Sequence, residues 1–349
     1  MPNETGSARR SYIDWARGVA VLLMIEAHTF DAWTRPAVRA SAAFRNLTIL
    51  GGLAAPLFLW LAGLAVVLSA DRVTGRSGRR ADGASAVCRR GLEIFILAFL
   101  FRMQGLIVSP GGPFVTLFRV DILNIMGPSI VVAGAIWGLP FTSATLVGVY
   151  AALACAMSML TPLVRTSAMV GALPLWIQWY IRPFGDMTLF TAFPWSGFVF
   201  AGAACGVLVA AARDEPAEQR LHAWLAPVGP ILLGLGFYTA SLPSIYRQSS
   251  FWTSSPTYFV IRVGVIMTTL SAFYALARAL ERRDVLVRPL ALLGRHSLFV
   301  YWIHVELVYG YATWPLRHRL PVAGTAVAFA VFTALMYLAV RAKVRFTGR

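Results

Sequence analysis

Long apolar segments alternate with short polar connections along the whole chain. Each apolar segment holds about 20 residues, the length at which a helix rising about 1.5 Å per residue crosses the hydrocarbon core of a bilayer. The pattern predicts an all-α polytopic membrane protein of about ten transmembrane helices. The predicted segments cover approximately residues 13–33, 47–70, 91–109, 119–138, 142–160, 189–212, 223–241, 257–280, 291–311 and 321–341.

The first segment is apolar enough to span a membrane, yet it carries Asp14, Arg17, Glu26, His28 and Asp31. Such groups are costly in a membrane unless they face protein or water. At about 100° per residue, all of them except Glu26 share an arc of about 100°. Arg17 and His28 lie nearly in line, about 16 Å apart along the axis. This layout suits a ligand with an anionic head and a reactive tail.

Structural alternatives stay open for these side chains. Asp14 and Arg17 are three residues apart and could form only a local ion pair at the helix entrance. His28 could be a packing residue with both ring nitrogens satisfied. An ionisable group inside a membrane helix is a functional hypothesis by default, so we keep His28 as a candidate for chemistry.

The ninth segment repeats the arrangement of the first. Arg295 and Glu306 are eleven residues apart and therefore nearly in line, and His304 lies on a different face from Glu306. Two helices that each offer an arginine at one end, and a histidine with a carboxylate toward the other, predict a polar chamber between transmembrane helices.

The fourth segment adds a further polar group inside the membrane. Asp121 and Asn124 share a helix face, whereas Arg119 and Asp121 point in different directions and cannot easily pair on one helix. Each then needs a partner from another helix or from a ligand. An interhelical ion pair and a ligand site both stay open.

The composition agrees with a membrane protein without a separate soluble domain. The 349 residues are 58% hydrophobic and only 13% charged, whereas soluble domains carry about 25% charged residues. We expect one transmembrane domain over residues 1–349, with 1–12 and 342–349 as cytoplasmic ends and 13–341 in the membrane. The three cysteines are scattered, so neither a disulfide framework nor a metal site is expected.

The net charge of +16 is carried almost entirely by arginine. Arginine counting gives a bias of about two to one for both termini in the cytoplasm, and the expected location is the inner, or plasma, membrane. We attribute the charge to this bias and to contact with anionic membrane lipids, and we do not expect nucleic acid as a partner. Whether the chain forms a homodimer stays open.

Several motifs occur in an order that resembles a known family. Asp14-Trp-Ala-Arg-Gly18, followed by His28, resembles the start of the catalytic domain of heparan-alpha-glucosaminide N-acetyltransferase and of its bacterial relatives. Type-3 acyltransferases, which O-acylate envelope polysaccharides, are similar at a greater distance. Further similar pieces are Ala55-Pro-Leu-Phe-Leu-Trp-Leu-Ala-Gly63, Phe118-Arg-Val-Asp-Ile-Leu-Asn-Ile-Met-Gly127, Phe193-Pro-Trp-Ser-Gly-Phe198, Leu293-Gly-Arg-His-Ser-Leu298 and Tyr301-Trp-Ile-His304.

The resemblance implies transfer of an acetyl group across the membrane. Acetyl-CoA would bind from the cytoplasmic side, and the acceptor on the far side would be an amino or hydroxyl group of a sugar or envelope glycan. The active-site histidine of the family corresponds to His28. The Asp-x-x-Arg-Gly motif corresponds to Asp14, Arg17 and Gly18.

The phosphates of such a donor favour arginine clusters. Arg89 and Arg90 lie in a predicted cytoplasmic connection, where they could equally be loop charges without a ligand. The candidates for donor binding are Asp14, Arg17, Arg89, Arg90 and Arg295.

The acceptor must lose a proton as it attacks the thioester. A histidine with a pKa near neutrality suits this step, so His28 is the candidate general base, and Asp31 or Glu306 could fix its tautomer. His304 is a fourth catalytic candidate, and Arg119, Asp121 and Asn124 are candidates for substrate binding. A covalent acetyl-histidine is an open alternative within the same chemistry. A secondary transporter or flippase with a polar path is the alternative outside it.

Overall fold

The computed structural model describes residues 10–108, 113–280 and 287–347. Within them the chain is helical, and the β-structure consists of two isolated bridges, Thr34 with Leu320 and Val120 with Thr188. Of the predicted cytoplasmic ends, residues 1–9 and 348–349 lie outside the described residues. The helices are α1 (Ser11–Trp33), α2 (Ala42–Gly51), α3 (Ala54–Ser77), α4 (Arg80–Val108), α5 (Ile122–Trp137), α6 (Ser143–Met159), α7 (Thr161–Thr166), α8 (Ala168–Gly171), α9 (Leu175–Ile181), α10 (Ala192–Ala211), α11 (Glu215–Ala240), α12 (Pro256–Ala279), α13 (Arg288–Arg295), α14 (Ser297–Tyr309) and α15 (Val322–Thr347).

Each predicted apolar segment coincides with at least one of these helices, and the polytopic all-helical class is confirmed. Among the described residues, 7 helical stretches are long and apolar enough to cross a membrane. They are α2 with α3, α4, α6 with α7, α10, α11, α12 and α15. Crossings by α1, which carries more charge, and by the shorter α5 and α14 stay predictions.

Exposed apolar stripes on single helices support the membrane setting. On α15 the stripe consists of Val327, Val331, Leu335 and Leu338, each more than half exposed. The spacing of three and four residues places them on one helix face. An apolar face of this kind is stable against lipid, whereas in water it would be a liability. Leu92, Ile96, Met103 and Ile107 form a similar stripe on α4.

Two of the predicted segments differ from the observed helices, and in each the difference lies where polar residues interrupt the apolar pattern. The fourth segment was expected from residue 119, but α5 begins at Ile122, and Arg119 has extended backbone angles. The expected single helix over 291–311 is also wrong, because the chain breaks at His296 (φ −107°, ψ 24°). Arg295 therefore ends α13 while Glu306 belongs to α14, so the two are not in line on one helix.

The chain forms two compact units. Unit 1 combines residues 1–54 with 269–349, and unit 2 comprises residues 55–268. In unit 1, α1 packs against α2, α13, α14 and α15. The end of α1 is tied to the segment before α15, because Leu320 N donates to Trp33 O and Arg35 N donates to Leu320 O, each at 2.9 Å. Unit 1 thus brings together the two polar segments that the sequence singled out.

Unit 2 is built on close contacts at glycines. A Cβ atom on Gly63 of α3 would overlap Val199 O, and one on Gly202 of α10 would overlap Trp60 O. Gly91 of α4 and Gly127 of α5 approach each other in the same reciprocal way. Small residues let helix backbones approach closely, which is how helices in membranes gain packing energy. Gly63 and Gly127 each end one of the family-like motifs, so these motifs contribute to packing.

Candidate active site

The start of α1 is held against α13 by two glycines. A Cβ atom on Gly18 would overlap Leu290 O of α13, and a Cβ atom on Gly294 would overlap Asp14 O of α1. The Cβ of Arg17 would lie only 3.1 Å from that second added atom. The glycine of the Asp-x-x-Arg-Gly motif therefore has a packing role, and it sets Arg17 beside the backbone that leads into Arg295.

Farther along α1, His28 meets His304 of α14. His28 Nδ1 lies 2.8 Å from His304 Nε2. The ring centroids are 5.0 Å apart and the planes differ by 5°. With the nitrogens so much closer than the centroids, the rings lie edge to edge in nearly one plane, which is the geometry of an N–H···N hydrogen bond. Because Gly294 precedes α14 and touches the start of α1, both helices run side by side from that end toward this pair.

The hydrogen bonds determine the tautomers of the neutral pair. His304 Nδ1 lies 2.8 Å from the carbonyl oxygen of Val300, which can only accept, so His304 Nδ1 carries the proton. His304 Nε2 is then the acceptor, and His28 Nδ1 must donate to it. The lone pair of neutral His28 is therefore on Nε2. His304 is 0% exposed while His28 is half-buried, so His28 is the member of the pair that a ligand can reach.

Asp31 belongs to a second group of contacts beside His28. Tyr309 OH donates to Asp31 Oδ2 at 2.9 Å, and the Tyr309 ring packs edge-on against His28 with centroids 5.7 Å apart. Arg39 Nη1 lies 3.8 Å from Asp31 Oδ1, and Arg39 also donates to the carbonyl oxygen of Asp31. The Asp31 side chain is 63% exposed. Asp31 thus places an accessible carboxylate near His28, held by Tyr309 and Arg39.

The two glutamates of this region are both buried. Glu306, which lies two residues after His304 on α14, is 7% exposed. Glu26 is 5% exposed, and neither of its carboxylate oxygens has a hydrogen-bond partner among the described residues. A Cβ atom on Gly51 of α2 would overlap Glu26 Oε2, so α2 packs directly over this carboxylate.

Four basic residues lie near the start of α1, and we define Arg17, Arg295, His296 and Lys343 as the basic cluster. Arg17 Nη1 lies 3.8 Å from Asp14 Oδ1, the local ion pair that the spacing allowed. Lys343 Nζ of α15 lies 3.3 Å from His296 Nδ1. The expected donor residues Asp14, Arg17 and Arg295 are therefore brought to one end of unit 1.

The other two expected donor residues lie on the surface of α4 in unit 2. Arg90 Nη1 pairs with Glu93 Oε2 at 3.0 Å, and both side chains are about half exposed. Arg89 lines an open cleft of about 370 Å³ together with Asp82, Ser85 and Ala86. A role of either arginine in donor binding stays a prediction.

The expected substrate residues of unit 2 have structural partners. Asp121 caps α5, where its carboxylate accepts from Ile122 N at 2.6 Å and Asn124 Oδ1 accepts from Asp121 N at 2.9 Å. The spacing that suggested a shared helix face is the spacing of a capping box. Arg102 Nη2 of α4 donates to Asp121 Oδ2 at 2.8 Å, which is the interhelical ion pair. Arg119 lies in the extended stretch before α5, and substrate contact by the three residues stays a prediction.

Sequence reasoning did not single out Tyr309, Arg39, His296 or Lys343. Tyr309 belongs to an apolar aromatic run, and Arg39 and Lys343 are among many basic residues outside or at the ends of helices. Tyr309 and Asp31 are 278 residues apart, and Lys343 and His296 are 47 residues apart. Arg39 and Asp31 are only 8 residues apart, but they lie on either side of the end of α1. Of these four residues, only His296 could have been found from the sequence, because it directly follows Gly294-Arg295 in a family-like motif.

A comparison with protein-family models matches residues 9–243 to the family described as heparan-alpha-glucosaminide N-acetyltransferase, catalytic. The match covers more than half of the chain and includes α1 with His28. It ends before α13 and α14, so His304 and the basic residues of the last helices lie beyond it. No individual curated protein matched the chain.

Proposed function

This chain belongs to the heparan-alpha-glucosaminide N-acetyltransferase catalytic family, a family of transmembrane acetyltransferases, and we propose how its residues perform the transfer. Acetyl-CoA from the cytoplasmic side is the donor. An amino or hydroxyl group of a sugar or glycan on the outer side is the acceptor. His28 is the general base.

The observation that carries the proposal is the hydrogen bond between His28 and His304. His304 Nδ1 donates to Val300 O, and His304 Nε2 accepts a hydrogen bond from His28 Nδ1–H, which leaves the lone pair of His28 on Nε2. A general base needs a correctly oriented lone pair within reach of the acceptor proton. Since His28 is half-buried and His304 fully buried, His304 is a positioning residue and His28 the catalytic one.

The proposed reaction is balanced without a further reactant. The acceptor nitrogen or oxygen forms a bond to the thioester carbonyl carbon while His28 Nε2 takes the acceptor proton. The carbon–sulfur bond then breaks, and the His28 imidazolium returns the proton to the leaving thiolate, giving the acetylated sugar and CoA thiol. While His28 is protonated, Nδ1–H still donates to His304 Nε2, and a hydrogen bond from a charged donor contributes about 1.5–3 kcal/mol.

The two ends of α1 suit the two substrates. The basic cluster at the start of α1 is about 16 Å from His28 along the helix, which separates the phosphate-binding end from the reacting end. The exposed Asp31 carboxylate, held by Tyr309 and Arg39, is placed to accept hydrogen bonds from acceptor hydroxyl or ammonium groups. In this proposal we therefore assign acceptor binding to Asp31. We assign to His304 the role of fixing the tautomer of His28.

The experiment compares wild type with His28→Ala, purified in detergent. Release of CoA thiol from acetyl-CoA is followed with glucosamine and with neutral sugars as acceptors. We expect His28→Ala to lower turnover by about 10²- to 10⁴-fold, the usual contribution of a general base. Acetyl-CoA affinity should stay near the wild-type value, because the replaced ring lies far from the basic cluster. The free energy of unfolding should fall by about 1–3 kcal/mol, because the buried Nε2 of His304 loses its hydrogen-bond donor. Wild-type turnover in the variant would exclude His28 as the base.

The same proteins separate direct transfer from a covalent route. Radiolabelled acetyl-CoA is added without acceptor, and the protein is isolated under mild conditions. Label retained by wild type and absent from His28→Ala would indicate an acetyl-histidine. Absence of label from an enzyme that turns over with acceptor indicates direct transfer.

A further inference from the structure

We propose that Arg262, held against the rings of Tyr258 and Trp195, binds the phosphate group of an anionic membrane lipid. All three residues belong to unit 2. The inference goes beyond the proposed function and does not depend on it, since the proposed base, His28, belongs to unit 1. It gives a ligand to a charged side chain that lies in a helix long and apolar enough to cross a membrane.

Two aromatic rings hold the guanidinium group of Arg262. Arg262 follows Tyr258 by four residues on α12, so both side chains lie on one face of that helix. Arg262 Cζ is 3.9 Å from the centre of the Tyr258 ring and 5.7 Å from the centre of the Trp195 ring on α10. A cation at such distances is attracted by the negative face of an aromatic ring. The guanidinium is therefore fixed beside both helices.

Close packing of α10 against α12 brings Trp195 to Arg262. A Cβ atom on Gly197 of α10 would lie only 3.0 Å from the Phe259 ring of α12. Phe198 packs on the same ring, with centroids 4.4 Å apart. Trp195, Gly197 and Phe198 all belong to one family-like motif, so the packing role of this motif also fixes the position of Trp195.

The positive charge of Arg262 is not offset by an ion pair in the described part of the chain. Residues 109–112, the part of unit 2 outside the described residues, are Ser-Pro-Gly-Gly and add no acid. The Tyr258 hydroxyl accepts a hydrogen bond from the guanidinium, whereas Arg262 Nε is buried without a hydrogen-bond partner among the described residues. A charge inside a membrane helix is costly unless it is paired, so an anion would stabilise Arg262.

The position of Arg262 along α12 favours a lipid headgroup as the source of this anion. Arg262 lies about 9 Å along the axis from Pro256, where α12 begins. Each headgroup region of a bilayer is about 5–8 Å thick, so Arg262 lies near the boundary between headgroups and hydrocarbon. Lipid phosphates lie close to this boundary, and the planar guanidinium matches two phosphate oxygens at once.

Exposed apolar and aromatic side chains at the same end of unit 2 favour a lipid over a soluble phosphate. Trp252, in the connection before α12, is 52% exposed. Phe237 and Tyr238 near the end of α11 are each more than half exposed, and this end adjoins α12 because a Cβ atom on Gly236 would overlap the Ile261 side chain. Tryptophan and tyrosine are enriched at headgroup level in membranes. A soluble phosphate would gain nothing from this apolar surface.

The test counts lipids bound to delipidated protein in detergent by native mass spectrometry. Phosphatidylglycerol is the probe, and diacylglycerol with the same acyl chains, which lacks the phosphate, is the ligand control. We expect wild type to prefer phosphatidylglycerol and Arg262→Gln to bind it at least about tenfold more weakly. Arg262→Lys keeps the charge without the planar fork and should retain part of the affinity. The matched control Arg247→Gln removes an exposed charge from the connection before α12 and should bind within about twofold of wild type.

Thermal unfolding provides a second readout that separates binding from a folding defect. Phosphatidylglycerol should raise the thermal midpoint of wild type, because a ligand that binds only the folded state stabilises it. It should not raise the midpoint of Arg262→Gln. Without lipid, Arg262→Gln should unfold at the wild-type temperature or above it, because the substitution removes an unpaired charge.

Several outcomes would overturn the inference. Equal phosphatidylglycerol affinity of wild type and Arg262→Gln would do so, as would equal binding of phosphatidylglycerol and diacylglycerol by wild type. Displacement of the bound lipid by millimolar glucosamine 6-phosphate or acetyl-CoA, but not by glucosamine, would assign the site to a soluble phosphate ester. A lower thermal midpoint of lipid-free Arg262→Gln with unchanged lipid binding would leave Arg262 a structural role alone. None of these measurements follows acetyl transfer, so each outcome leaves the proposed role of His28 unaffected.

Discussion

At the scale of single residues, the two histidines are chemically alike and differ in their surroundings. His304 has both ring nitrogens engaged, one with Val300 O and one with His28, and it is fully buried. His28 shares one nitrogen with His304 and is half-buried. In the proposed mechanism, His28 meets the substrate and His304 holds His28 in place, which is the division of labour in catalytic triads.

Substitutions at His304 test this division. His304→Gln places an amide oxygen near the acceptor position of Nε2, whereas His304→Leu removes the acceptor from a site of similar size. We expect His304→Leu to lower kcat by about 10- to 100-fold, in line with the 1.5–3 kcal/mol of a charge-assisted hydrogen bond, with KM for acetyl-CoA unchanged. His304→Gln should retain more activity. Steady-state kinetics of both variants provide the readout, and equal activity of the two would argue against a hydrogen-bonding role.

The candidate site could be predicted from the sequence only in part. His28 and His304 stood out because an ionisable side chain in an apolar run has few structural reasons to be there. Their hydrogen bond could not be predicted, since it joins residues 276 positions apart. The same distance in sequence hid the role of Tyr309, whose hydroxyl binds Asp31 in a place where a carboxylate–histidine contact was expected.

At the scale of the helices, close approach of backbones decides where polar side chains end up. Gly18 and Gly294 allow α13 to lie directly on α1, and the break at His296 then starts α14 along the same side of α1. The apolar periodicity of residues 291–311 does not reveal this break, because both pieces are apolar. The glycine contacts between α1 and α13 can be recognised only once it is known that these two helices are neighbours.

Alanine substitution at Gly18 tests the α1–α13 contact. The added Cβ would overlap backbone atoms of α13, so Gly18→Ala should destabilise the protein by at least about 1–3 kcal/mol, the cost of overpacking. Gly75→Ala is the matched control, since Gly75 lies in α3 with no atom close to an added Cβ. The control should be neutral or stabilising by up to about 1 kcal/mol. Thermal unfolding in detergent measures both, and a Gly18→Ala protein as stable as wild type would contradict the packing described here.

The start of α5 offers a second test at this scale. Asp121→Asn keeps a good helix cap but leaves the half-buried Arg102 without its charged partner. Removing one partner of a buried ion pair costs about 3–5 kcal/mol. Asp121→Asn should therefore clearly lower the thermal midpoint of unfolding. Asp121→Ala, which also loses the cap, should lower the free energy of unfolding by about 1 kcal/mol more. Loss of glycan acetylation without any loss of stability would instead favour a substrate-binding role for Asp121.

At the scale of the whole molecule, unit 1 is assembled from the two ends of the chain. The all-helical polytopic class followed from apolar length, because a bilayer fixes how long a spanning helix must be, while 7 of about ten expected spans meet that length and apolarity among the described residues. The assembly of unit 1 did not, because apolar length carries no information about which helices are neighbours. The family match has the same limit, since it includes His28 but not His304.

Sidedness can be tested on the last spanning helix. Arg317 and Arg345 flank most of α15 and are both exposed. In a background with Cys88, Cys155 and Cys205 replaced by serine, a cysteine at 317 should react with an impermeant maleimide on intact cells. A cysteine at 345 should react only after permeabilisation, because both termini are expected in the cytoplasm. Equal labelling of both on intact cells would contradict the crossing by α15.

The most direct test of the central claim is acetyl transfer into sealed proteoliposomes. Vesicles that contain wild-type protein or His28→Ala are loaded with glucosamine, and radiolabelled acetyl-CoA is added outside. We predict that labelled N-acetylglucosamine accumulates inside the wild-type vesicles and stays near background with His28→Ala. Equal accumulation with both proteins, or passage of glucosamine out of the vesicles or of acetyl-CoA into them without acetylation, would contradict an acetyltransferase that uses His28.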